Sequence, residues 1–185
     1  MPKYIIEHLE EELYDWCFLE YKSMSKIVGK ENLVITNVKS PKDRKKLEPF
    51  AEAREESVLD MSLTKTCLLD MDAEKELSPG DKFDNLVFGG ILGDNPPQKR
   101  TIKFLASLKA EKRHLGKMQM ATDNAVLAAK MITDGKRLSE IKFIDSPSIT
   151  MEEGLDLELP YRFVEINGKP FISEELLFHI KKSGF

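Results

Sequence analysis

Four apolar runs in this chain end in a carboxylate: "YIIE" at Glu7, "CLLD" at Asp70, "LVFGGILGD" at Asp94 and "KFID" at Asp145. Acids so placed can hold a cation, orient a planar guanidinium through paired hydrogen bonds, or receive a proton. Open α/β sheets bind ligands in the crevice beyond the carboxyl ends of their strands, so parallel strands would bring these acids together. The plain alternative is that each acid marks a return to solvent or caps the next helix. For one acid that alternative is the commoner outcome, but four together, one beside a glycine cluster, favour a site. Such a crevice suits a cationic ligand and suits phosphate poorly.

The glycine cluster is "FGGILGDNPP", Phe88 to Pro97, where Gly89, Gly90 and Gly93 lead from an apolar run to Asp94 and two prolines. A backbone without Cβ atoms lets a ligand lie against it. The segment is not G-x-G-x-x-G, and no G-x-x-x-x-G-K-[ST] occurs, which disfavours a nucleotide phosphate as the main ligand. A second glycine element, "HLGKMQMATDNA" (His114 to Ala125), feeds a loop into a helix N-terminus, where free N–H groups can meet polar parts of a ligand. Leu115, Met118 and Met120 could wall that ligand, or could merely fill gaps in a core. His8, His114 and His179 lack the i,i+4 spacing of a helical zinc site, so no metal is expected.

The elements that must position these residues follow from periodicity. "KYIIEH" reads as a strand. In the segment after it, Leu13, Cys17, Tyr21, Met24 and Val28 form one helical face that ends at Gly29. "NLVIT", "KTCLLD" and "NLVFGG" read as strands, and residues 39–57 as a surface helix with its connections. "QKRTIKFLASL" reads as a helix behind the prolines, and Thr122 as the cap of a helix closing at Gly135. "EIKFIDSP" is a further strand, "RFVEINGKPFI" a hairpin turning at Asn167-Gly168, and Ser173 the cap of a last helix. Alternating strands and helices predict an α/β protein with a mostly parallel sheet flanked by helices.

Length and charge bound what such a fold can do. A chain of 185 residues is most simply one domain, 1–185, with 165–185 as a C-terminal hairpin and helix. With 32 acids against 28 bases and a net charge of −4, it lacks the basic excess usual in nucleic-acid binders. "KDRKK" at Lys42 to Lys46 could still form a local basic patch. Two cysteines, Cys17 and Cys67, fit a reducing compartment, and "MPKYIIEHLEEE" does not read as a signal peptide, so the cytoplasm is expected. No apolar run approaches the ~20 residues of a membrane span.

The segments "YIIEHLEE", "CLLD", "FGGILGDNPP", "LGKMQMATDNA", "IKFID" and "LPYRFV", running from Tyr4 to about Val164, together resemble the SPOUT superfamily of methyltransferases. Within it they are similar to the small family that contains the fungal protein-arginine methyltransferase acting on a small-subunit ribosomal protein. The resemblance implies a deep C-terminal trefoil knot and a bound S-adenosylmethionine, with S-adenosylhomocysteine as product. It implies a cofactor cleft lined by Leu69 and Asp70, by Gly89, Gly90, Ile91, Leu92 and Gly93, and by Leu115, Gly116, Met118, Gln119, Met120 and Thr122.

The resemblance also implies a cationic acceptor facing a cationic donor. Like unit charges ~4 Å apart at an effective dielectric of ~20 repel by roughly 4 kcal/mol. Nearby carboxylates offset that repulsion, orient the guanidinium and take the proton it loses. Asp94 and Glu7 are the candidates for this work. Asp94 is the stronger, because Glu7 is as well read as a structural acid. Asp145 reads as a cap at "DSP", His8 as a hydrogen-bonded structural histidine, and Arg162 as a partner for one of the acids. A tRNA or rRNA methyltransferase, and a non-catalytic S-adenosylmethionine-binding module, are the alternative functions. Monomer and homodimer both stay open.

Overall fold

The computed structural model describes residues 1–90, 105–151 and 154–183. Its centre is a six-stranded sheet in which every pairing is parallel. The strands are β1 (Lys3–His8), β2 (Leu33–Thr36), β3 (Glu52–Ala53), β4 (Thr66–Leu69), β5 (Asn85–Gly90) and β6 (Glu111–Arg113), in the spatial order β3-β2-β1-β5-β4-β6. β1 is thus central. The chain first builds outward on one side of it, then returns to lay β5 on the other, which makes the β1/β5 boundary the switch point of the sheet.

Alternation of side chains explains why the central strands are apolar at nearly every position. Tyr4, Ile6, Leu33, Ile35, Leu86 and Phe88 face one layer, and Ile5, Val34, Leu68 and Val87 face the other, under Val58 and Leu105. The first layer is made by helices α1 (Asp15–Val28) and α3 (Thr122–Thr133), with α2 (Pro41–Leu47) at the β2 side. The predicted stripe Leu13, Cys17, Tyr21, Met24 and Val28 is buried along its whole length. α2 begins at Ser40, whose hydroxyl accepts the Asp43 N–H, with Pro41 at its first position.

The remaining strands form two antiparallel units: β7 (Phe143–Asp145) with β10 (Arg162–Ile166) and β11 (Lys169–Pro170), and the hairpin β8 (Ser148–Thr150) with β9 (Asp156–Glu158). Asn167 and Gly168, both at positive φ (53° and 78°), make the tight turn read from the sequence. The last helix, α4 (Glu174–Ser183), starts where the Ser173 hydroxyl accepts the Leu176 N–H. Leu176 and Ile180 lie with Tyr161 and Phe163 in a core of their own that reaches Trp16 and Leu19 of α1. Glu175 receives both Lys22 and Lys26 of α1, so the C-terminal tail packs on the body of its own chain.

Three local expectations differ from the structure. β7 is not a member of the parallel sheet, so Asp145 does not join the acids at its edge; a short apolar run does not reveal which sheet it enters. Thr122 is the first helical residue of α3, with Ala121 at the cap position and no side-chain cap bond. Of the helix expected over "QKRTIKFLASL", Leu105–Ser107 is a single 3-10 turn, and the part before Leu105 lies outside the described residues.

Candidate active site

The carboxyl ends of β1, β4, β5 and β6 lie side by side. Glu7 pairs in register with Gly89 and His8 with Gly90, which sets the start of the glycine segment at the switch point. Ile91, Leu92, Gly93 and Asp94 follow it and lie outside the described residues. On the other flank of β5, β4 ends at Leu69 and delivers Asp70, whose N–H donates to the Arg113 carbonyl of β6. β6 then releases the loop that carries Leu115, Gly116, Met118, Gln119 and Met120 into α3. The structure therefore brings together Glu7, Leu69, Asp70, Gly89, Gly90 and the 114–120 loop.

Each of the described strand-end acids has a defined set of partners. Glu7 has no exposed surface. One of its oxygens accepts the Ser57 hydroxyl (2.6 Å), and the other accepts the Thr36 hydroxyl (2.5 Å) and the Val58 N–H (2.9 Å). Three donors on a buried carboxylate satisfy it well and tie β1 to β2 and to the turn at Ser57. Asp70 is also buried. Its Oδ1 accepts the Asp72 N–H (2.9 Å), closing the turn after β4, and its Oδ2 receives Lys112 Nζ at 2.9 Å. Asp145 binds Arg162 with both oxygens, at 2.6 and 2.9 Å, and this contact holds its pKa below the ordinary carboxylate range.

His8 turns to the opposite face from Glu7, where its Nδ1 shares a 2.8 Å hydrogen bond with the Tyr21 hydroxyl. Burial lowers its pKa, and the charge of Asp43 offsets only part of the effect, so His8 is neutral near pH 7. Burial likewise holds the Tyr21 phenol protonated.

The 114–120 loop is held by its own hydrogen bonds and by its neighbours. The Gly116 N–H donates to His114 Nδ1 (3.1 Å), which requires that nitrogen unprotonated; burial and the nearby Lys117 charge both lower the His114 pKa. Gly116 itself sits at φ 103°, a conformation that an L side chain rarely adopts. Lys117 Nζ donates to two carbonyls of the turn after β4, Met71 (3.0 Å) and Ala73 (2.9 Å), and so stitches one edge loop to the next. The Gln119 carbonyl accepts the Arg162 N–H (2.8 Å), and Met120 bridges to Arg162, so the loop runs along β10 as a further strand-like neighbour. Leu115 is buried and Met120 packs on the main core, while Met118 is 47% exposed.

Two acids escaped the sequence reading. Glu20 of α1 and Asp123 of α3 are buried against each other at the start of α3, directly behind the loop. Desolvation raises both, Glu20 well above its ordinary value and Asp123 to about 6, and the Asp123 charge raises Glu20 further. A main-chain hydrogen bond from Asp123 offsets part of the Glu20 rise, which makes Glu20 a cap supplied to α3 by another helix. Ser23 and Asn124 side chains donate to Asp123, and Asn124 also joins the Val164 N–H and the Phe171 carbonyl. Glu20 Oε2 meets no partner among the described residues. The missed signal was spacing: Glu20 falls three residues after Cys17 and four before Met24, on the apolar face.

Known proteins are similar to this chain in sequence and in fold. Protein arginine N-methyltransferase SFM1 of Saccharomyces cerevisiae is 37% identical over 201 residues, spanning 97% of this chain and 94% of its own length. The crystal structure of the yeast arginine methyltransferase SFM1 complexed with SAM matches with a TM-score of 0.89 at 36% identity, over 99% of this chain and 91% of that one. A dual-specific Trm10 from Thermococcus kodakaraensis, at 19% identity and a TM-score of 0.60 over 76% of this chain and 96% of its own, shares the fold. Residues 3–184 match the SFM1-like family, so this chain belongs to the SFM1-like protein arginine N-methyltransferases.

Proposed function

We propose that this protein transfers a methyl group from S-adenosylmethionine to an arginine side chain of a protein, and that the acceptor is a ribosomal or other translation protein. The observation that carries the reading is the near full-length likeness to yeast SFM1, including its form complexed with SAM. The described residues fit such a cofactor. Bare backbone at Gly89 and Gly90 permits close approach, and the exposed Met118 side chain offers apolar contact. Asp94 is the strand-end acid proposed to face the positive sulfonium. When bound, the cofactor supplies a methyl group already activated for transfer and leaves as S-adenosylhomocysteine.

The protein's own task is then to orient a guanidinium, offset its charge and accept one proton. The three donors on Glu7 support a framework role for that acid, holding the crevice floor at β1 and β2. Asp94 is the acid proposed to hold the acceptor and take its proton. Ile91, Leu92 and Gly93 complete the proposed cofactor contacts with Leu69, Asp70, Gly116, Met118, Gln119 and Thr122. The trefoil knot and a cytoplasmic location belong to the same reading.

A protein acceptor is also supported by how the basic residues are used. Arg44 is paired with Glu55, Lys46 with Asp43, Arg54 with Glu52 and Glu56, and Arg113 with Asp81 and Glu111. Cations already matched to acids offer little to a phosphate backbone. Among the described residues no helix is long and apolar enough to cross a membrane.

The test is transfer from methyl-labelled S-adenosylmethionine to dissociated ribosomes of the source cells, with products split between protease and nuclease. Label released by protease and recovered as methylarginine is the expected result. Label released by nuclease would return the protein to RNA modification.

A further inference from the structure

Arg162 stands where three parts of the molecule meet. Its main chain belongs to β10, its N–H donates to the Gln119 carbonyl, and Met120 pairs with it across the bridge. Its guanidinium binds Asp145 of β7 through Nε and Nη2 and lies over the Phe143 ring, 5.0 Å from the centroid. The remaining nitrogen, Nη1, is 3.5 Å from the point where a Cβ on Gly116 would stand. The positive-φ turn of the 114–120 loop is therefore folded beside Nη1 of a guanidinium that is itself held by Asp145 and Phe143.

We propose that Arg162 is a positioning residue for the cofactor, holding the 114–120 loop in its binding form through the Asp145 pair. The inference rests on reading that loop as a cofactor loop. A loop bound to Arg162 by main-chain contacts alone would populate its binding form for only part of the time. Apparent affinity falls by that fraction, since Kd,app equals the intrinsic Kd divided by the competent population. Once cofactor is bound the loop is ordered again, so the chemical step is little affected. The geometry also assigns different duties to the two partners. Arg162 touches the loop, whereas Asp145 acts only by holding Arg162.

The experiment is S-adenosylhomocysteine binding by calorimetry, with KM for S-adenosylmethionine and kcat measured in parallel. The proteins are the full-length wild type, Arg162→Lys, Arg162→Gln, Asp145→Asn and the double Arg162→Gln/Asp145→Asn. Arg162→Gln and Asp145→Asn should each weaken binding about tenfold and raise KM in proportion, with kcat within about threefold of wild type. Arg162→Lys keeps the charge but not the paired geometry and should recover only part of the loss. The double variant should be no weaker than Arg162→Gln alone, because the carboxylate acts through the guanidinium. Wild-type affinity and KM in Asp145→Asn, whose altered side chain is half exposed and leaves the core intact, would overturn the inference. So would a fall in kcat at unchanged KM. Failure of the wild type itself to bind S-adenosylhomocysteine would overturn the underlying cofactor reading, which separates the two failures.

Discussion

Among single residues, Glu7 and Asp94 share a sequence context but are assigned different roles. Both end an apolar strand-like run, yet Glu7 is enclosed by Ser57, Thr36 and Val58. Glu7→Gln would turn an amide NH₂ toward groups that are already donors, and should cost about 1–3 kcal/mol in urea unfolding. The folded fraction should keep its kcat. Asp94→Asn should do the reverse: S-adenosylhomocysteine binding retained, and kcat for arginine methylation lowered about a hundredfold or more in single-turnover assays. A variant pair showing the opposite pattern would exchange the roles assigned to the two acids. His8 offers a third case at this scale. That it would be hydrogen-bonded and structural could be judged from base rates, whereas its partner, Tyr21, could not, because the contact joins a strand to a helix.

At the level of elements, the α1–α3 contact carries a titration. Asp123 and Glu20 bind their proton more tightly in the folded protein than in an unfolded chain. Their contribution to stability is therefore full below the unfolded carboxylate range and is lost as pH rises through the folded value, about 6 for Asp123. His8 acts with the opposite sign. Its folded pKa is lowered, so its contribution is present above the ordinary histidine range and is lost as pH falls. The two limbs partly cancel in the wild type. The difference between wild type and Glu20→Gln/Asp123→Asn isolates the first: from pH 4 to pH 7 the wild type should lose roughly 1–3 kcal/mol relative to the variant in denaturant melts. A difference that stays flat across that range would remove the raised carboxyls of Glu20 and Asp123 from the account.

This is also the scale at which the sequence was most and least informative. The β1, β2, β4 and β5 strands and the α1 stripe were legible because each is a strong local pattern. Apolar runs bounded by turn residues, and a helical repeat closed by a glycine, need no tertiary information to be seen. The Asn167-Gly168 turn was legible for the same reason. The placement of β7 was not, since a three-residue strand carries no record of its partner; Asp145, grouped first with the strand-end acids and then read as a cap, instead binds Arg162 across the antiparallel β7–β10 pair. The α3 cap was misread because a threonine before a helical stretch is a good cap in isolation, while here the compensating carboxyl comes from α1. Of the candidate site, Glu7, Asp70 and the two glycine elements were picked out by strand ends and glycine spacing, whereas their assignment to a cofactor came by resemblance to a family. That Arg162 would pair with one of the strand-end acids was also expected, but the residues themselves could not disclose how Lys117 and the Arg162 main chain clamp the 114–120 loop, because those partners lie far along the chain.

For the molecule as a whole, the C-terminal tail is joined to the first helix rather than standing apart. Leu176 and Ile180 are buried with Tyr161 and Phe163, against Trp16 and Leu19. Leu176→Ala should destabilise the entire domain by about 2–5 kcal/mol in one cooperative transition, read by far-UV circular dichroism on heating. A separate early transition confined to the tail would indicate that it unfolds alone.

The strand order has a consequence in time. β1 is the first strand to be made and sits at the middle of the finished sheet, but it gains β2 early and must wait for β5 until β3 and β4 have also been synthesised. During translation at about 5–20 residues per second, one edge of this central strand stays open for seconds. A nascent chain of this kind is open to sheet addition by a neighbour and to capture by chaperones over that interval. The same pairing that sets Gly89 and Gly90 beside β1 thus keeps the candidate site from assembling until the growing chain has passed β5.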